Sequence, residues 1–447
     1  MFRRLILKQS NFLIFIFFLA FILRLAYAFS ERIRPFADAA HYHRFAISIS
    51  SGKGYFEKEE KTAGEYGEAL NWPPFYPFFL ALAYKIMGHK YTAVWIIQAL
   101  LGALSCVWVY FLAKAIFNQR VAVFSAFIAA VYFDLIIYSA MLLTETLYIF
   151  LILVFFLLFL KKRYVAAGVL AGLSALTRPI IMIFYLFLFF WEWRREKTAK
   201  VCWFLLLLLL TIMPWIARNY FVYHRLLPIT AGWDNLWSGN NPRANGENIL
   251  PRENDIPNPE GTYLSFNDHA LKEAVAFILG HPGRVFLLVL RKLSIFFSLV
   301  RINAWWLYTN SSGISGIILS AALSFLLSSC IFLLGIAGVV FSWRQNSRGK
   351  SLLRYFILLC LLSLIPFYFN VRFRLPVYPF LIIFMGYLLS VLPELKRKWV
   401  AREKTTLRYF NISLFLILLV IFNSVYDGLL QWKVFYEKLS TIGLFKK

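Results

Sequence analysis

Apolar residues along this chain collect into long runs that are separated by short polar segments. Four of the clearest runs span residues 11–29, 91–117, 121–143 and 352–369. Each is close to the roughly 20 residues that an α-helix needs to cross the hydrocarbon core of a bilayer. Hydrophobic residues make up 60% of the 447 positions and charged residues only 15%, against about 25% charged residues in soluble domains. The pattern therefore predicts an all-α polytopic membrane protein.

The basic residues that give the chain its net charge of +25 are concentrated in short clusters between the apolar runs. The clusters lie at residues 3–8, 161–163, 194–197, 344–350 and 396–398. This distribution is typical of cytoplasmic loops and also suits anionic lipid headgroups. It predicts membrane lipids and no nucleic acid as partners. It also predicts a cytoplasmic N-terminus in an inner or plasma membrane.

The topology follows from counting the crossings between these cytoplasmic clusters. An even number of spans must separate the N-terminus from residues 161–163, yet five apolar stretches lie between them. The stretch 73–88 is short, begins with two prolines and contains a lysine, so we predict that it forms an interfacial helix. The stretch 284–300 contains Arg291 and Lys292, which an interfacial helix would keep among the headgroups. About eleven transmembrane helices (11–13) then remain.

This topology divides the chain into two parts. Residues 1–395 are predicted to form a transmembrane domain with external segments at 30–91 and 218–313. Residues 396–447 are predicted to form a C-terminal transmembrane helix and an external tail. Connections as long as the two external segments are uncommon without a functional reason. We therefore expect the functional surface on the external or periplasmic face.

Two carboxylates fall on this outer side. Asp38 follows the first transmembrane helix at the water boundary, where it could serve as a general base. The competing interpretation is that it caps a helix over residues 39–50. Glu145 lies at the outer end of a helix that returns inward, and taken alone it is best explained as a solvated side chain. Two carboxylates on one face of the membrane favour a joint catalytic site.

Arginines also occur on the outer side, against the inward bias of positive charge. Arg178 ends a helical run, and Arg372 and Arg374 lie in the segment 370–379. Guanidinium groups bind phosphate bidentately, and the phosphate available here would be a lipid headgroup. Ordinary snorkelling of each side chain to phospholipid is the alternative.

The histidines near Asp38 do not form a clear metal-binding pattern. His41 and His43 are two residues apart, a spacing that does not place them on one face of a helix. No further set of ligands accompanies them, so the sequence predicts neither a defined metal site nor a cofactor. A divalent cation is left open.

Several short motifs follow one another in order along residues 1–395. They are Asp38-Ala-Ala-His-Tyr42, Ser51-Gly-Lys-Gly-Tyr55, Trp72-Pro-Pro-Phe-Tyr-Pro77, Thr144-Glu-Thr-Leu-Tyr148, Gly172-Leu-Ser-Ala-Leu-Thr-Arg-Pro179 and Arg372-Phe-Arg-Leu-Pro-Val-Tyr-Pro379. Together they resemble the GT-C superfamily of glycosyltransferases that use lipid phosphosugars. The resemblance is to protein O-mannosyltransferases and bacterial aminoarabinose transferases, glycosyltransferase families 39 and 83. It implies a GT-C-like bundle of transmembrane helices with juxtamembrane helices in the first external loop.

The resemblance also implies roles for individual residues. In such enzymes the aspartate of the first external loop is the catalytic base, which would be Asp38, and the sugar leaves a polyprenyl phosphate with inversion. Tyr42 would lie near the lipid phosphate. Family members often carry Glu after the aspartate and a basic residue before the paired prolines, where this chain has Ala39 and Trp72. These departures make His41 a candidate for the substitute cation.

An inverting displacement needs a base on one side of the sugar and stabilisation of the leaving phosphate on the other. We accordingly assign Asp38 and Glu145 to catalysis, with Glu145 either positioning the acceptor or holding a cation or an arginine. The donor phosphate is assigned to His41, Tyr42, Arg178, Arg372 and Arg374, and the sugar or acceptor to Trp233, Asn240 and Asn241.

The expected substrates are a polyprenyl-phosphate sugar donor and a glycolipid, protein or wall-polymer acceptor. Two other functions stay open. A transporter or flippase of lipid-linked sugars would need ionisable residues near the bilayer midplane, for which Asp134 is the main candidate. A catalytically inactive partner in a glycan-assembly complex is compatible with the missing Glu after Asp38.

Overall fold

A computed structural model describes residues 2–55, 69–230, 232–252, 255–301, 314–343 and 346–441. Parts of both predicted external segments, 56–68 and 302–313, thus lie outside the described residues. The described residues form helices and connecting turns without a β-strand, which confirms the all-α prediction. The α-helices are α1 Phe2–Glu31, α2 Asp38–Ser50, α3 Phe75–Met87, α4 Tyr91–Ile116, α5 Gln119–Val131, α6 Phe133–Ala140, α7 Glu145–Leu160, α8 Tyr164–Ala175, α9 Met182–Glu196, α10 Lys200–Tyr223, α11 Trp233–Gly239, α12 Tyr263–Gly280, α13 Pro282–Phe297, α14 Ile314–Ser342, α15 Arg348–Leu364, α16 Tyr378–Val400 and α17 Lys404–Thr441. Short 3₁₀ segments occur at Ala69–Asn71, Pro179–Ile181 and Val371–Val377.

Within the described ranges, six helices are long and apolar enough to cross a membrane, or up to eight if each of two bent pairs is one span. The chain is therefore a multi-pass membrane protein, as predicted. The bent pairs are α5 with α6, at 49°, and α12 with α13, at 105°. Other helices are shorter, since the 16 residues of α7 give a length of about 24 Å against a hydrocarbon core of about 30 Å. The count of eleven spans stays a prediction.

The predicted interfacial stretch 73–88 contains the 13-residue helix α3, which packs against α2. Phe78, Leu82 and Ile86 recur at every fourth residue and are 45, 60 and 73% exposed. The opposite face is buried, with Tyr76 fully enclosed. An exposed apolar stripe on a helix too short to span a bilayer suits a position at the membrane boundary.

The second predicted interfacial stretch, 284–300, differs from expectation in how its two cations are satisfied. Arg291 forms an ion pair with Asp427 of α17, with 2.8 Å between the guanidinium nitrogen and the carboxylate oxygen. Lys292 is buried, and its Nζ donates a hydrogen bond to the Ile365 carbonyl at 2.9 Å. Protein groups therefore hold both charges, in place of the lipid headgroups that the sequence suggested.

The end of the bundle that carries Glu145 is built around a break between α6 and α7. The buried Gln98 of α4 donates to the carbonyl oxygens of Ser139 and Met141 at 3.1 and 2.6 Å. It also accepts a 2.8 Å hydrogen bond from the hydroxyl of Tyr76 on α3. These bonds satisfy backbone groups that have left helical pairing. They tie α3 to the bundle and fix the point at which α7 starts, Glu145.

Asp134, the candidate for a transport site, lies directly after the bend between α5 and α6 and is fully buried. Its carboxylate accepts hydrogen bonds from the hydroxyls of Tyr132, Ser324 and Ser328 at 3.0, 2.5 and 2.9 Å. Hydroxyls from α14 thus satisfy this carboxylate inside the bundle.

Candidate active site

Asp38 is the first residue of α2, so the helix begins one residue before the predicted range 39–50. The cap position itself is taken by Ala37, whose φ of 47° lies in the left-handed region. Non-glycine residues in this region are strained and cluster at functional sites. The carboxylate of Asp38 forms an ion pair with the guanidinium of Arg372. The N-cap interpretation therefore does not describe this residue.

Arg372 reaches Asp38 from the other end of the sequence, 334 positions away. It belongs to the 3₁₀ segment Val371–Val377. The N-cap of this segment is Asn370, whose side-chain oxygen accepts a 3.2 Å hydrogen bond from the Arg372 backbone N–H. The Arg372 and Asp38 side chains are 13 and 25% exposed. The pair is thus largely enclosed but still open on one side.

A second ion pair joins the two other charged residues that the sequence singled out. The Arg178 guanidinium lies 2.5 Å from the Glu145 carboxylate, and its Nε donates to the Thr144 hydroxyl at 2.9 Å. The guanidinium also lies over the Tyr148 ring, 5.7 Å from its centroid. Glu145 has no exposed surface, whereas the Arg178 side chain is 16% exposed. Of the roles considered for Glu145, holding an arginine is the one that the geometry shows.

A cavity of about 540 Å³ is lined by both members of the Asp38–Arg372 pair and by Arg178 of the second pair. This volume is within the roughly 300–1,000 Å³ typical of small-molecule sites. Its wall combines four charged side chains with aromatic, amide and aliphatic groups, which come from both predicted external segments and from the helix ends. The lining includes Asp38, Tyr42, Asn71, Trp72, Thr144, Tyr148, Arg178, Ile180, Ile183, Trp233, Asp234, Asn235, Leu364, Tyr368 and Arg372.

Tyr42 and His41 take different positions around Trp72. Tyr42 lines the cavity and packs edge-on against Trp72, with ring centroids 5.1 Å apart. Burial raises the pKa of Tyr42 far above its ordinary value, and the charge of Asp38 adds to this shift, so the hydroxyl stays neutral. His41 stacks on Trp72 at 4.6 Å and is not part of the lining. Among the described residues, no group of three His, Cys, Asp or Glu side chains could hold a metal ion.

Three other predicted residues lie outside the cavity lining and donate hydrogen bonds to backbone carbonyls. The buried Arg374 donates to the carbonyls of Phe296 and Ser298 at 2.9 and 2.7 Å. Asn240 donates to the Pro366 carbonyl at 2.6 Å, and Asn241 caps its own turn. Trp233, in contrast, lines the cavity and is 38% exposed.

The sequence reasoning missed several cavity residues, among them Tyr368, Asp234 and Asn71. Burial raises the pKa of Tyr368 to about 12, with Asp38 and Asp234 adding to the shift and Arg372 and Arg178 opposing it. All four of these charged residues line the same cavity as Tyr368. Burial also raises the pKa of Asp234. In the sequence, only closeness to predicted site residues could have pointed to Tyr368 and Asp234. Asp234 directly follows Trp233, and Tyr368 precedes Arg372 by four residues.

Comparisons with known proteins agree with this architecture. Residues 71–217 match the sequence model of the dolichyl-phosphate-mannose-protein mannosyltransferase family. The structure resembles ArnT from Cupriavidus metallidurans bound to undecaprenyl phosphate, with a TM-score of 0.51, 11% identity, and coverage of 95% of this chain and 73% of that one. It also resembles the archaeal oligosaccharyltransferase AglB from Archaeoglobus fulgidus in complex with an inhibitory peptide and a dolichol-phosphate. That match has a TM-score of 0.50, 16% identity, and coverage of 93% and 54%. The chain has the GT-C fold.

The predicted GT-C superfamily is thereby confirmed at the level of the fold. The chain spans about half the length of the AglB chain, 54%. No curated protein sequence matches it. Within this GT-C fold the family match at 71–217 includes Glu145 and Arg178, while Asp38 and Arg372 lie on either side of it. The structure brings these four residues together.

Proposed function

We propose that this protein is an inverting glycosyltransferase that moves a sugar from a polyprenyl-phosphate donor to an acceptor at the outer face of the membrane. The observation that carries the proposal is that Asp38, Arg178 and Arg372 line one cavity, with each guanidinium beside a carboxylate. The related folds of ArnT and AglB were solved with undecaprenyl phosphate and a dolichol-phosphate. Their ligands support a lipid-phosphate donor for this chain.

The cavity offers both groups that an inverting displacement requires. Asp38 would take the proton of the acceptor hydroxyl or amine while the acceptor atom forms its bond to the anomeric carbon. The bond from that carbon to the phosphate oxygen breaks, and the phosphate leaves with the electron pair. Arg178 and Arg372 would stabilise the charge on the departing phosphate. The neutral hydroxyl of Tyr42 would supply a further hydrogen bond.

The two carboxylate partners have different consequences for the reaction. Glu145 is fully buried and holds Arg178 from outside the lining, so it keeps the guanidinium in place throughout the cycle. Asp38 lines the cavity itself. A lipid phosphate can therefore compete with Asp38 for Arg372, and donor binding would free the carboxylate to act as a base.

Neither alternative function gains support from a specific observation. Asp134, on which a transporter would depend, is satisfied by hydroxyls and lies outside the cavity lining. A catalytically inactive partner would have the same fold but would not transfer sugar. A transfer assay therefore distinguishes it from an active enzyme. The sugar and the choice among protein, glycolipid and wall-polymer acceptors are questions for that assay.

The decisive experiment compares the Asp38→Asn variant with wild type in membranes that are supplied with a labelled polyprenyl-phosphate sugar. We expect the substitution to lower transfer by about 10²–10⁴-fold, the range for loss of a general base. The matched control is Asp268→Asn, because Asp268 is a surface carboxylate that is 46% exposed and paired with Arg225. Transfer by Asp38→Asn at the wild-type rate would show that Asp38 is not the general base.

Mass spectrometry of glycolipids and glycoproteins from a deletion strain would identify the sugar and its acceptor. A strain whose glycans all remain unchanged, together with wild-type protein that transfers no sugar, would overturn the proposed function itself.

A further inference from the structure

One wall of the cavity carries hydrogen-bond acceptors that the proposed chemistry leaves unused. Asp234 lines this wall beside Trp233 at the start of α11, and Asn71 approaches it from the first external segment. Trp233 is fixed by its backbone N–H, which donates to the Asn267 side chain of α12 at 3.0 Å. The wall is therefore built from both external segments and anchored to a longer helix.

Amide groups donate hydrogen bonds to the carboxyl group of Asp234. Its Oδ1 accepts hydrogen bonds from the backbone and side-chain nitrogens of Asn235 at 2.9 and 3.0 Å, and a side-chain hydrogen bond from Asn71 lowers the pKa of the Asp234 carboxyl, against the effect of burial. In the described part of the chain, no lysine or arginine forms an ion pair with it. Arg178 and Arg372 are already paired with Glu145 and Asp38.

Asn71 adds an acceptor with no partner. Because its amide nitrogen donates to Asp234, its Oδ1 is the atom left over, and this oxygen is buried without a hydrogen bond among the described residues. A buried acceptor without a partner costs free energy, and such groups are normally hydrogen-bonded by water or a ligand. Only a hydrogen-bond donor can satisfy the Asn71 oxygen.

The cavity thus has two chemically distinct parts. Arg178 and Arg372 supply donors and positive charge, which suit a phosphate. Asp234 and Asn71 supply acceptors, which suit hydroxyl groups, and the ring of Trp233 supplies a flat apolar face. A glycosyl phosphate carries both halves in one molecule, a phosphate joined to a ring rich in hydroxyls. The residues of both parts line the same cavity, so they belong to one site.

We propose that Asn71, Trp233 and Asp234 form the subsite for the donor sugar, whose hydroxyls donate to Asp234 and Asn71 while the ring packs on Trp233. The inference rests on the proposed function, because it takes a glycosyl phosphate as the ligand. Asp234 and Asn71 are binding residues here, and Asp38 remains the base.

The test compares binding of two lipids to the purified full-length protein, a polyprenyl-phosphate sugar and the same polyprenyl phosphate without sugar. Asp234→Asn should weaken binding of the glycosylated lipid about tenfold or more, the equivalent of one hydrogen bond to a charged group. Binding of the bare lipid should stay unchanged, because Arg178 and Arg372 are intact. Asn71→Ala should show the same selectivity, and Asp268→Asn should alter neither affinity.

Three outcomes would overturn the sugar subsite. Equal losses for both lipids would indicate a general structural effect, and unchanged affinity for both would show that Asp234 does not touch the donor. A rise in acceptor KM with unaltered donor affinity would move the subsite to the acceptor. All three leave the test of Asp38 untouched, so the two proposals fail separately.

Discussion

Replacing Glu145 by glutamine tests whether the buried ion pair behind the cavity positions Arg178. The Glu145 side chain is fully enclosed, while Arg178, 2.5 Å away, keeps 16% of its side chain exposed. Removing one partner of a buried pair costs about 3–5 kcal/mol, because the other charge stays buried without compensation. In Glu145→Gln the remaining charge is Arg178, which reaches cavity water, so we expect a loss near 3 kcal/mol in the free energy of unfolding. In Arg178→Gln the remaining charge is the enclosed Glu145, so the loss should approach about 5 kcal/mol.

Denaturant unfolding of the purified protein in micelles, followed by tryptophan fluorescence, would measure both losses. The double variant should lose less than the sum, since the two charges interact directly. Glu145→Gln should also weaken binding of polyprenyl phosphate, because Arg178 loses its orientation, and Asp268→Asn should change neither quantity. Additive losses, or a larger loss for Glu145→Gln than for Arg178→Gln, would refute the reasoning.

Three further predictions follow from the described contacts. Burial raises the pKa of Asp234, so the folded protein binds this proton more tightly than the unfolded chain and stability falls as pH rises from about 3.9 through the raised value. Asp234→Asn should therefore raise the unfolding temperature at neutral pH, and a lower temperature would indicate a structural role instead. An alanine Cβ at Gly338 would collide with the Phe384 carbonyl, so Gly338→Ala should cost about 1–3 kcal/mol. Gly280→Ala, which meets nothing within 4 Å, should cost much less in the same unfolding assay. A cysteine at the exposed Lys85 should react with an impermeant reagent added from outside, and reaction only from the cytoplasm would contradict the topology.

Much of the fold could be predicted from the sequence because membrane insertion is a local property. A run of apolar residues long enough to cross the bilayer forms a helix wherever it occurs, since unpaired backbone groups are too costly in lipid. Helices were also predicted over residues 39–50, outside the apolar runs, and within 73–88, which is too short to cross the bilayer, and the structure has a helix in each segment. Asp38 could be singled out because it stands at the junction of a long apolar run and a polar segment.

The partners of the charged residues could not be predicted, because they depend on how distant segments pack. Arg372 and Arg374 are two positions apart and looked equivalent, yet one pairs with Asp38 and the other binds the carbonyls of Phe296 and Ser298. Lys292 looked like a headgroup contact but is buried against Ile365.

Sequence alone thus predicted a multi-pass helical membrane protein and the short motifs that border its apolar runs. Only the tertiary structure decided which polar groups meet. Asp38 and Arg372 are joined across 334 positions, and Asn71 contacts Asp234 from the other predicted external segment. The physical reason is that an apolar run carries its own preference for lipid, whereas the stability of a buried charge depends on the partner that packing brings to it.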